Sequence, residues 1–256
     1  MKIYVRSRGE SQDYCWLSIT EEGQQREEHP LIGQVKDLIQ SEAHSVVLAR
    51  FRGKLLLLVT GEESSRTDSR TRQIRNSVAW VGENSDESVL RMLAVRALRG
   101  DLRAELDRAV TFGGEEGFQV SLPDIEQLAL TDKPANSPPD RTKKIGRTSQ
   151  ELRDELAEEL EKYRLPSSEG PLVVVTGIKK AEVLENAGVW RGLSSLVEAE
   201  DWETIPETET EALSGYLTPE LDQKMLKNPQ LILYLLMASG LYVILSQLLS
   251  FMQKLQ

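Results

Sequence analysis

The sequence predicts an α+β fold: a soluble body of mixed α/β structure, followed by one C-terminal transmembrane helix. Three observations support this prediction. Two runs rich in β-forming residues, 46–51 and 54–60, are separated only by Arg52-Gly53, and a two-residue connection with glycine second favours a tight hairpin turn. Other stretches carry apolar residues at helical spacing. Finally, residues 229–253 contain no charged side chain.

Residues 1–130 are predicted to form an N-terminal domain around this hairpin. The run LLLLV within residues 54–60 is apolar on both faces, which predicts a strand at the centre of its sheet. Alternation and β-rich composition predict further strands at 2–6, 14–20, 76–81 and 118–122. Amphipathic spacing predicts helices at 31–43, 86–98 and 102–110. The polar stretches 21–29 and 61–75 are predicted to be loops.

The composition changes after residue 130. Residues 131–147 hold three prolines and almost nothing apolar, which predicts a flexible or extended linker. Residues 148–227 are predicted to form a smaller, acidic, mainly helical second domain, with helices at 148–164 and 181–187 and a short buried strand at 172–176. From residue 151 to 224 the chain has 18 acidic and 7 basic residues, so an anionic membrane surface would repel this domain.

Residues 229–252 are predicted to form the transmembrane helix. About 20 apolar residues cross a bilayer core as a helix, and a span in lipid must satisfy its own backbone hydrogen bonds. Lys224 and Lys227 precede the stretch and Lys254 follows it. No apolar segment long enough for a signal peptide stands at the N-terminus. The sequence therefore predicts a tail-anchored, single-pass protein, with membrane lipid around residues 229–252 and the N-terminal body in the cytoplasm.

One face of the predicted span carries small and polar residues: Ser239, Gly240, Ser246, Gln247 and Ser250. Small residues let helices approach in lipid, and polar ones hydrogen-bond between helices. The stripe makes a homo-oligomer formed through the span a hypothesis. The alternative is that these residues have no partner, as in many single spans.

Composition limits the remaining partners. The net charge of -10 and the pI near 5.0 argue against nucleic acid, because binding to nucleic acid depends on neutralising phosphates. A single cysteine, Cys15, excludes an internal disulfide and a cysteine-rich zinc site. The sequence shows no cofactor motif, so we expect neither a cofactor nor a metal.

Four arginines in the stretch 61–75 form the first candidate site: Arg66, Arg70, Arg72 and Arg75. Binding groups often lie on loops that a rigid sheet positions, and the guanidinium fork suits a phosphate or carboxylate. Asp68 in the same stretch is expected to order one of them. The site would take an anionic small ligand or an acidic partner segment. The alternative is a solvated loop without a ligand.

A second candidate is the turn containing Gly177, Lys179 and Lys180, which follows the predicted strand and precedes a helix. Such a turn can bind phosphate at the N-terminus of a helix. However, neither GxxxxGK[ST] nor GxGxxG is present. An ordinary strand-to-helix turn is the alternative interpretation.

We expect a membrane-anchored, non-enzymatic adaptor or sensor that binds an unidentified protein partner or an anionic ligand through residues 1–130. One specific form is a membrane effector of a bacterial defence or stress pathway that oligomerises through its span. The alternative is an enzyme of unrecognised family acting on an anionic or phosphorylated substrate. An enzyme should bring the stretch 66–75 and the turn 177–180 together in a pocket with a carboxylate or His44. An adaptor should keep them apart with its arginines exposed.

Overall fold

The hairpin at Arg52-Gly53 lies inside a ten-stranded sheet in the computed structural model, which describes residues 1–130, 133–135 and 140–206. Phe51 pairs with Lys54 across the turn. Arg52 and Gly53 both have positive φ, 52° and 77°, as a type I′ hairpin turn requires. The predicted hairpin is therefore confirmed.

Twelve strands are found in the described residues. They are β1 (Lys2–Ser7), β2 (Cys15–Thr20), β3 (Gly23–Arg26), β4 (Ser45–Phe51), β5 (Lys54–Thr67), β6 (Gln73–Glu83), β7 (Val110–Phe112), β8 (Phe118–Val120), β9 (Lys144–Arg147), β10 (Gly170–Thr176), β11 (Arg191–Ser194) and β12 (Glu203–Thr204). The large sheet has the order β12-β9-β11-β10-β4-β5-β6-β1-β2-β3, and β7 and β8 form a separate hairpin. Strand β5 thus lies in the middle of the sheet, as its LLLLV run predicts.

The α-helices of the described residues pack on both faces of this sheet. They are α1 (Pro30–Val35), α2 (Glu87–Arg99), α3 (Arg103–Ala109), α4 (Leu122–Gln127), α5 (Gln150–Lys162) and α6 (Ala181–Asn186). Leu55 and Leu57 share one core with α2 to α5, whereas Leu56 and Leu58 share the opposite core with α1 and α6. Successive side chains of a strand point to opposite faces, so a strand covered by helices on both sides is apolar at every position.

Three neighbouring strands, β9, β11 and β10, are parallel, and β10 pairs with β4 in the antiparallel direction. The chain runs from β9 through α5 to β10. From β10 it returns through α6 to β11, which lies between β9 and β10 in the sheet. The two connections travel in opposite directions across the sheet, so right-handed crossovers place α5 and α6 on opposite faces. All three parallel strands finish at one end of the sheet, where β4 begins and where the pairing of β5 with β6 shifts register. We call this the carboxyl end of the sheet.

Several predicted element boundaries are wrong. The predicted loop 61–75 is mostly strand, because β5 continues to Thr67 and β6 begins at Gln73. The pairs Glu62–Asn76, Glu63–Arg75 and Thr67–Gln73 extend the ladder through these polar residues, and a partner strand satisfies the backbone whatever the side chains are. The predicted helix 31–43 ends at Val35 and continues only as a short 3₁₀ turn. The predicted loop 21–29 contains the exposed strand β3.

The body of the chain has the mixed α/β structure that the sequence predicts, with a large sheet and several helices. Residues 1–205 form one compact unit. Strand β9 begins at Lys144, inside the stretch interpreted as a linker, and the strands on either side of that stretch belong to one sheet. Within the described ranges no helix is long and apolar enough to cross a membrane. The predicted transmembrane helix, residues 229–252, lies outside them.

Candidate functional site

The structure separates the four arginines of the first candidate site. Arg66 lies on β5 and is buried, with only 8% of its surface exposed. Its Nε donates to the Ser64 hydroxyl at 3.1 Å, and its Nη2 donates to Ser7 Oγ at 2.7 Å and to Asn76 Oδ1 at 2.8 Å. Burial lowers the pKa of this guanidinium, and Asp107 partly offsets that effect. Arg66 is therefore occupied inside the protein and is not free to bind a ligand.

Arg70 and Arg72 lie on the short connection between β5 and β6, and both are exposed. The Asp68 carboxylate accepts hydrogen bonds from the backbone N–H groups of both residues, each at 2.9 Å. It also binds Arg72 Nε at 2.8 Å and Nη2 at 2.7 Å. Desolvation raises the pKa of Asp68. The hydrogen bonds from Arg72 and Arg70 together outweigh this effect and lower the pKa to about 2. Asp68 thus orders Arg72, as the sequence predicts.

Arg75 enters a pocket at the carboxyl end of the sheet, which we call the arginine pocket. Its volume is about 390 Å³, within the range of small-molecule sites. Four arginines line it: Arg75, Arg99, Arg103 and Arg153. The other lining residues are His44, Gly61, Glu62, Glu63, Ala97, Leu98, Gly100 and Gln150. Strand β5, the end of α2, the start of α3 and the first turn of α5 all contribute to its wall.

Carboxylates engage three of these arginines. Glu63 is shared: its Oε1 lies 3.0 Å from Arg75 Nη1 and its Oε2 lies 2.5 Å from Arg103 Nη2. Arg99 forms an ion pair with Glu161. Arg153 has no carboxylate partner within the described ranges, and its Nε is buried without a hydrogen bond there. Burial alone lowers the pKa of Arg153.

The position of Arg153 is set by helix α5. Ser149 caps this helix by accepting a hydrogen bond from the Leu152 N–H at 3.1 Å. The apolar face of the helix packs into the core through Leu152, Leu156 and Leu160. Glu159 on the same helix binds the buried Arg191 of β11 through two hydrogen bonds, of 2.7 and 2.6 Å. The helix is therefore fixed to the sheet, and Arg153 is held at the pocket wall.

A histidine and a buried carboxylate form a pair in the same pocket. His44 Nδ1 lies 3.0 Å from Glu62 Oε1, and the Glu62 side chain is only 6% exposed. His44 is positioned by the close approach of Gly61, whose φ is +72° and whose Cβ, if present, would lie 2.1 Å from the Ala43 carbonyl carbon. A carboxylate bound to Nδ1 orients the imidazole, and Nε2 is then the ring nitrogen that Glu62 does not contact.

The turn with Gly177, Lys179 and Lys180 follows β10 at the same end of the sheet but does not line the arginine pocket. The Lys179 backbone N–H donates to Ser194 Oγ at 3.2 Å. Lys180 precedes α6, a helix of six residues. The turn therefore does not meet the arginines. The residues of the predicted span face (Ser239, Gly240, Ser246, Gln247 and Ser250) lie outside the described residues.

The convergence that the alternative, an enzyme, would require occurs only in part, since Arg75 meets His44 and two carboxylates while the turn 177–180 stays outside. Sequence reasoning missed Arg99, Arg103 and Arg153, which lie on helices and resemble solvated charges. Arg153 carried one signal, because it is the lone basic residue of the acidic stretch 150–161.

The arrangement favours binding of an anion over binding of a cation. Where side chains are described, no group of three or more His, Cys, Asp or Glu residues is placed to hold a metal ion. No protein-family model, curated protein or solved structure matches this chain. What the pocket can do therefore follows from its own residues: guanidinium groups to hold a phosphate or carboxylate, and an imidazole–carboxylate pair beside them.

Proposed function

We propose that the protein is a membrane-held, non-enzymatic sensor or adaptor whose body binds an anionic small ligand in the arginine pocket. The observation that carries the proposal is Arg153, a half-buried guanidinium that faces the pocket and has no carboxylate partner in the described chain. A buried charge without a counter-ion is costly. A bound phosphate or carboxylate would supply that counter-ion.

The location of the pocket supports the same proposal. In open α/β sheets, ligands bind beyond the carboxyl ends of the parallel strands, near the point where the connections change direction. The arginine pocket lies at that end of this sheet, and α5, which follows β9, provides Gln150 and Arg153. Arg75 and Arg103 share the single carboxylate of Glu63, so each retains donors for a ligand.

The membrane part of the proposal rests on the sequence. The uncharged stretch 229–252 would hold the protein in a lipid bilayer, with the body in the cytoplasm. The stripe from Ser239 to Ser250 would bring spans together into a homo-oligomer. Ligand binding would then be coupled to clustering in the membrane, as in a defence or stress effector. An acidic segment of a partner protein could bind the exposed Arg70 and Arg72.

Titration of the full-length protein in detergent with pyrophosphate tests the ligand site. Arg153→Gln should weaken binding roughly tenfold, because one charge-assisted hydrogen-bond donor is lost. Arg108→Gln is the matched control, because Arg108 is an exposed helical arginine outside the pocket and its loss should leave the affinity unchanged. Equal effects of the two substitutions, or no binding of pyrophosphate, would contradict the proposal.

Cell fractionation tests the membrane part separately. The full-length chain should remain in the membrane pellet after an alkaline carbonate wash, and a chain lacking residues 229–256 should be found in the supernatant. Retention of the shortened chain in the washed pellet would exclude the proposed anchor.

A second candidate function is hydrolysis of a phosphorylated substrate, which the His44–Glu62 pair favours. The buried Glu62 orients the imidazole, and Nε2 could accept a proton from an attacking water molecule. Incubation with bis(p-nitrophenyl) phosphate distinguishes the two functions. Release of nitrophenolate that His44→Gln abolishes, while pyrophosphate binding persists, would support the enzyme. Pyrophosphate binding without turnover of the ester would support the sensor.

A further inference from the structure

A second arginine-lined pocket adjoins the arginine pocket, and we call it the Tyr14 pocket. It has a volume of about 230 Å³. Its charged lining residues are Arg8, Glu42, Asp68, Arg72 and Arg75, and Tyr14 lies among them. The small-ligand site of the proposed function does not include it.

The guanidinium groups around Tyr14 are held in place but not saturated. Arg8 lies over the Tyr14 ring at 5.5 Å, and Arg6, behind the pocket, lies over the same ring at 4.4 Å. Arg6 Nη1 and Arg8 Nε are buried without a hydrogen-bond partner in the part of the chain that the structure describes. Burial is the main cause that lowers the pKa of Arg6. Of the two, Arg8 lines the pocket and has a donor that no group of the described chain satisfies.

The carboxylates of the Tyr14 pocket do not cancel this charge. Asp68 is only 3% exposed and is already engaged by Arg72 at 2.7 Å and Arg8 at 3.5 Å. Arg72 binds it through Nε and Nη2, so its Nη1 is not used by this carboxylate. Glu42 is an exposed residue. Asp68 therefore acts as a support that fixes two arginines, as a carboxylate behind a binding group does.

Arg75 joins the two pockets, because it belongs to the lining of both. Its backbone N–H donates to the Tyr14 hydroxyl oxygen at 2.9 Å, and its side chain reaches Glu63 in the arginine pocket. One residue thus separates the two groups of arginines. A ligand extending past Arg75 would contact both groups.

We propose that the arginine pocket and the Tyr14 pocket are two subsites for one small ligand that carries two separated anionic groups. Arg153 and Arg103 would bind the first group, Arg8 and Arg72 the second, and Arg75 the part between them. Joining two weak sites in one ligand raises the affinity well above that of either site. This inference rests on the proposed function, since it assigns the first subsite to the same pocket.

Linear polyphosphates of increasing length, from pyrophosphate upwards, provide the probe. Calorimetric titration of the full-length protein should show affinity rising steeply once the chain is long enough to reach the second subsite. Arg72→Gln should then weaken binding of the longer chains roughly tenfold and leave pyrophosphate unchanged. Arg153→Gln should weaken both classes of probe. Arg108→Gln again serves as the control for loss of one positive charge.

The outcomes separate this inference from the proposed function. If pyrophosphate binding depends on Arg153 but Arg72→Gln has no effect at any probe length, the second subsite is excluded and the first stands. If pyrophosphate does not bind, or binds without regard to Arg153, the proposed function fails as well. Tyr14→Phe, which removes the hydroxyl that accepts the Arg75 backbone N–H and keeps the ring, should weaken binding of the longer probes more than binding of pyrophosphate. Thermal unfolding of each variant checks that the fold is intact.

Discussion

Arg75 and Glu63 face each other as cross-strand neighbours on β6 and β5, and Arg75 Nη1 lies 3.0 Å from Glu63 Oε1. The second oxygen of the same carboxylate binds Arg103. Glu63 thus occupies two of the four arginines that line the arginine pocket. An anionic ligand would have to compete with it for those donors.

Substitution of Glu63 by Gln should therefore raise the affinity of the pocket for pyrophosphate. The change removes a repelling charge and releases Arg75 and Arg103, so an increase of about tenfold is expected. Titration calorimetry at fixed ionic strength measures it. Glu83→Gln breaks an exposed pair with Lys54 outside the pocket and should have no effect. Weaker binding by Glu63→Gln would mean that Glu63 orients the arginines for the ligand rather than competing with it.

Arg66 is expected to matter for stability and not for binding. Arg66→Met keeps the apolar stem but leaves Ser7 Oγ, Asn76 Oδ1 and the Arg8 carbonyl without this donor. The free energy of unfolding should fall by about 3 kcal/mol, because several buried acceptors each lose a hydrogen bond from a charged donor. Urea denaturation measures this change.

Arg70→Met is the control for that experiment, because Arg70 is exposed on the connection between β5 and β6. Its stability should stay within about 0.5 kcal/mol of the parent protein. A loss of pyrophosphate binding in Arg66→Met at a temperature where the protein is still folded would contradict the structural role of Arg66.

Asp68 should make stability depend on acid pH. Hydrogen bonds lower its pKa from 3.8 to about 2 in the folded protein. The ionised carboxylate therefore stabilises the fold above about pH 4, and this contribution is lost as the pH falls from about 4 to about 2. The stability difference between the parent protein and Asp68→Asn should shrink over that window. Urea denaturation at a series of pH values measures it.

Arg72→Gln tests the cause of that pH dependence. Without the Arg72 guanidinium, the pKa of Asp68 should move back towards 3.8. The pH range over which the stabilisation by Asp68 is lost should then become narrower and lie at higher pH. An unchanged profile would show that the Arg8 guanidinium and the backbone N–H groups of Arg70 and Arg72 hold the carboxylate without help from the Arg72 side chain.

Gly61→Ala should damage the arginine pocket. Gly61 has a φ of +72°, and an added Cβ would lie 2.3 Å from the Ala43 carbonyl oxygen and 2.5 Å from the His44 backbone nitrogen. Both the strained backbone and the clash oppose the substitution, so the free energy of unfolding should fall by at least about 2 kcal/mol. His44 should move, and pyrophosphate binding should weaken.

Gly23→Ala provides the comparison for Gly61→Ala. Gly23 also has a positive φ, +129°, but nothing lies within 4 Å of its Cβ position. Gly23→Ala should lower the free energy of unfolding by about 1 kcal/mol through backbone strain alone, and it should leave pyrophosphate binding unchanged. Equal effects of the two substitutions, measured by urea denaturation and calorimetry, would exclude the contact with residues 43–44 as the cause.

Much of the fold could be predicted from local patterns. The hairpin at Arg52-Gly53 and the end of helix α2 at Gly100 follow from glycines that allow positive φ. The central strand β5 follows from a run that is apolar on both faces. Gly100 has a φ of +80° after the last turn of α2, as a helix-ending glycine does. The extension of β5 and β6 through 61–67 and 73–75 could not be predicted, because its support is the facing strand and the bond from Ser64 Oγ to Asp107 Oδ1.

The candidate site could be predicted only in part. Of the four arginines that the sequence singles out, Arg75 lines the arginine pocket, while Arg66 is buried within the body. Arg103 and Arg153 lie far apart along the chain and on different helices. No spacing in the sequence brings them together, because packing of α3 and α5 around the sheet does so.

The sequence by itself determined the strands and helices that local chemistry enforces: turns that need positive φ, apolar periodicity and caps. It also provides the reason for proposing a membrane span at 229–252. Only the tertiary structure decided which charged side chains are paired, buried or left with free donors. The physical reason is that the local sequence does not distinguish an arginine that will be buried or paired from one that stays in solvent. Its role at Arg66, Arg75 or Arg153 depends on partners that folding brings from distant parts of the chain.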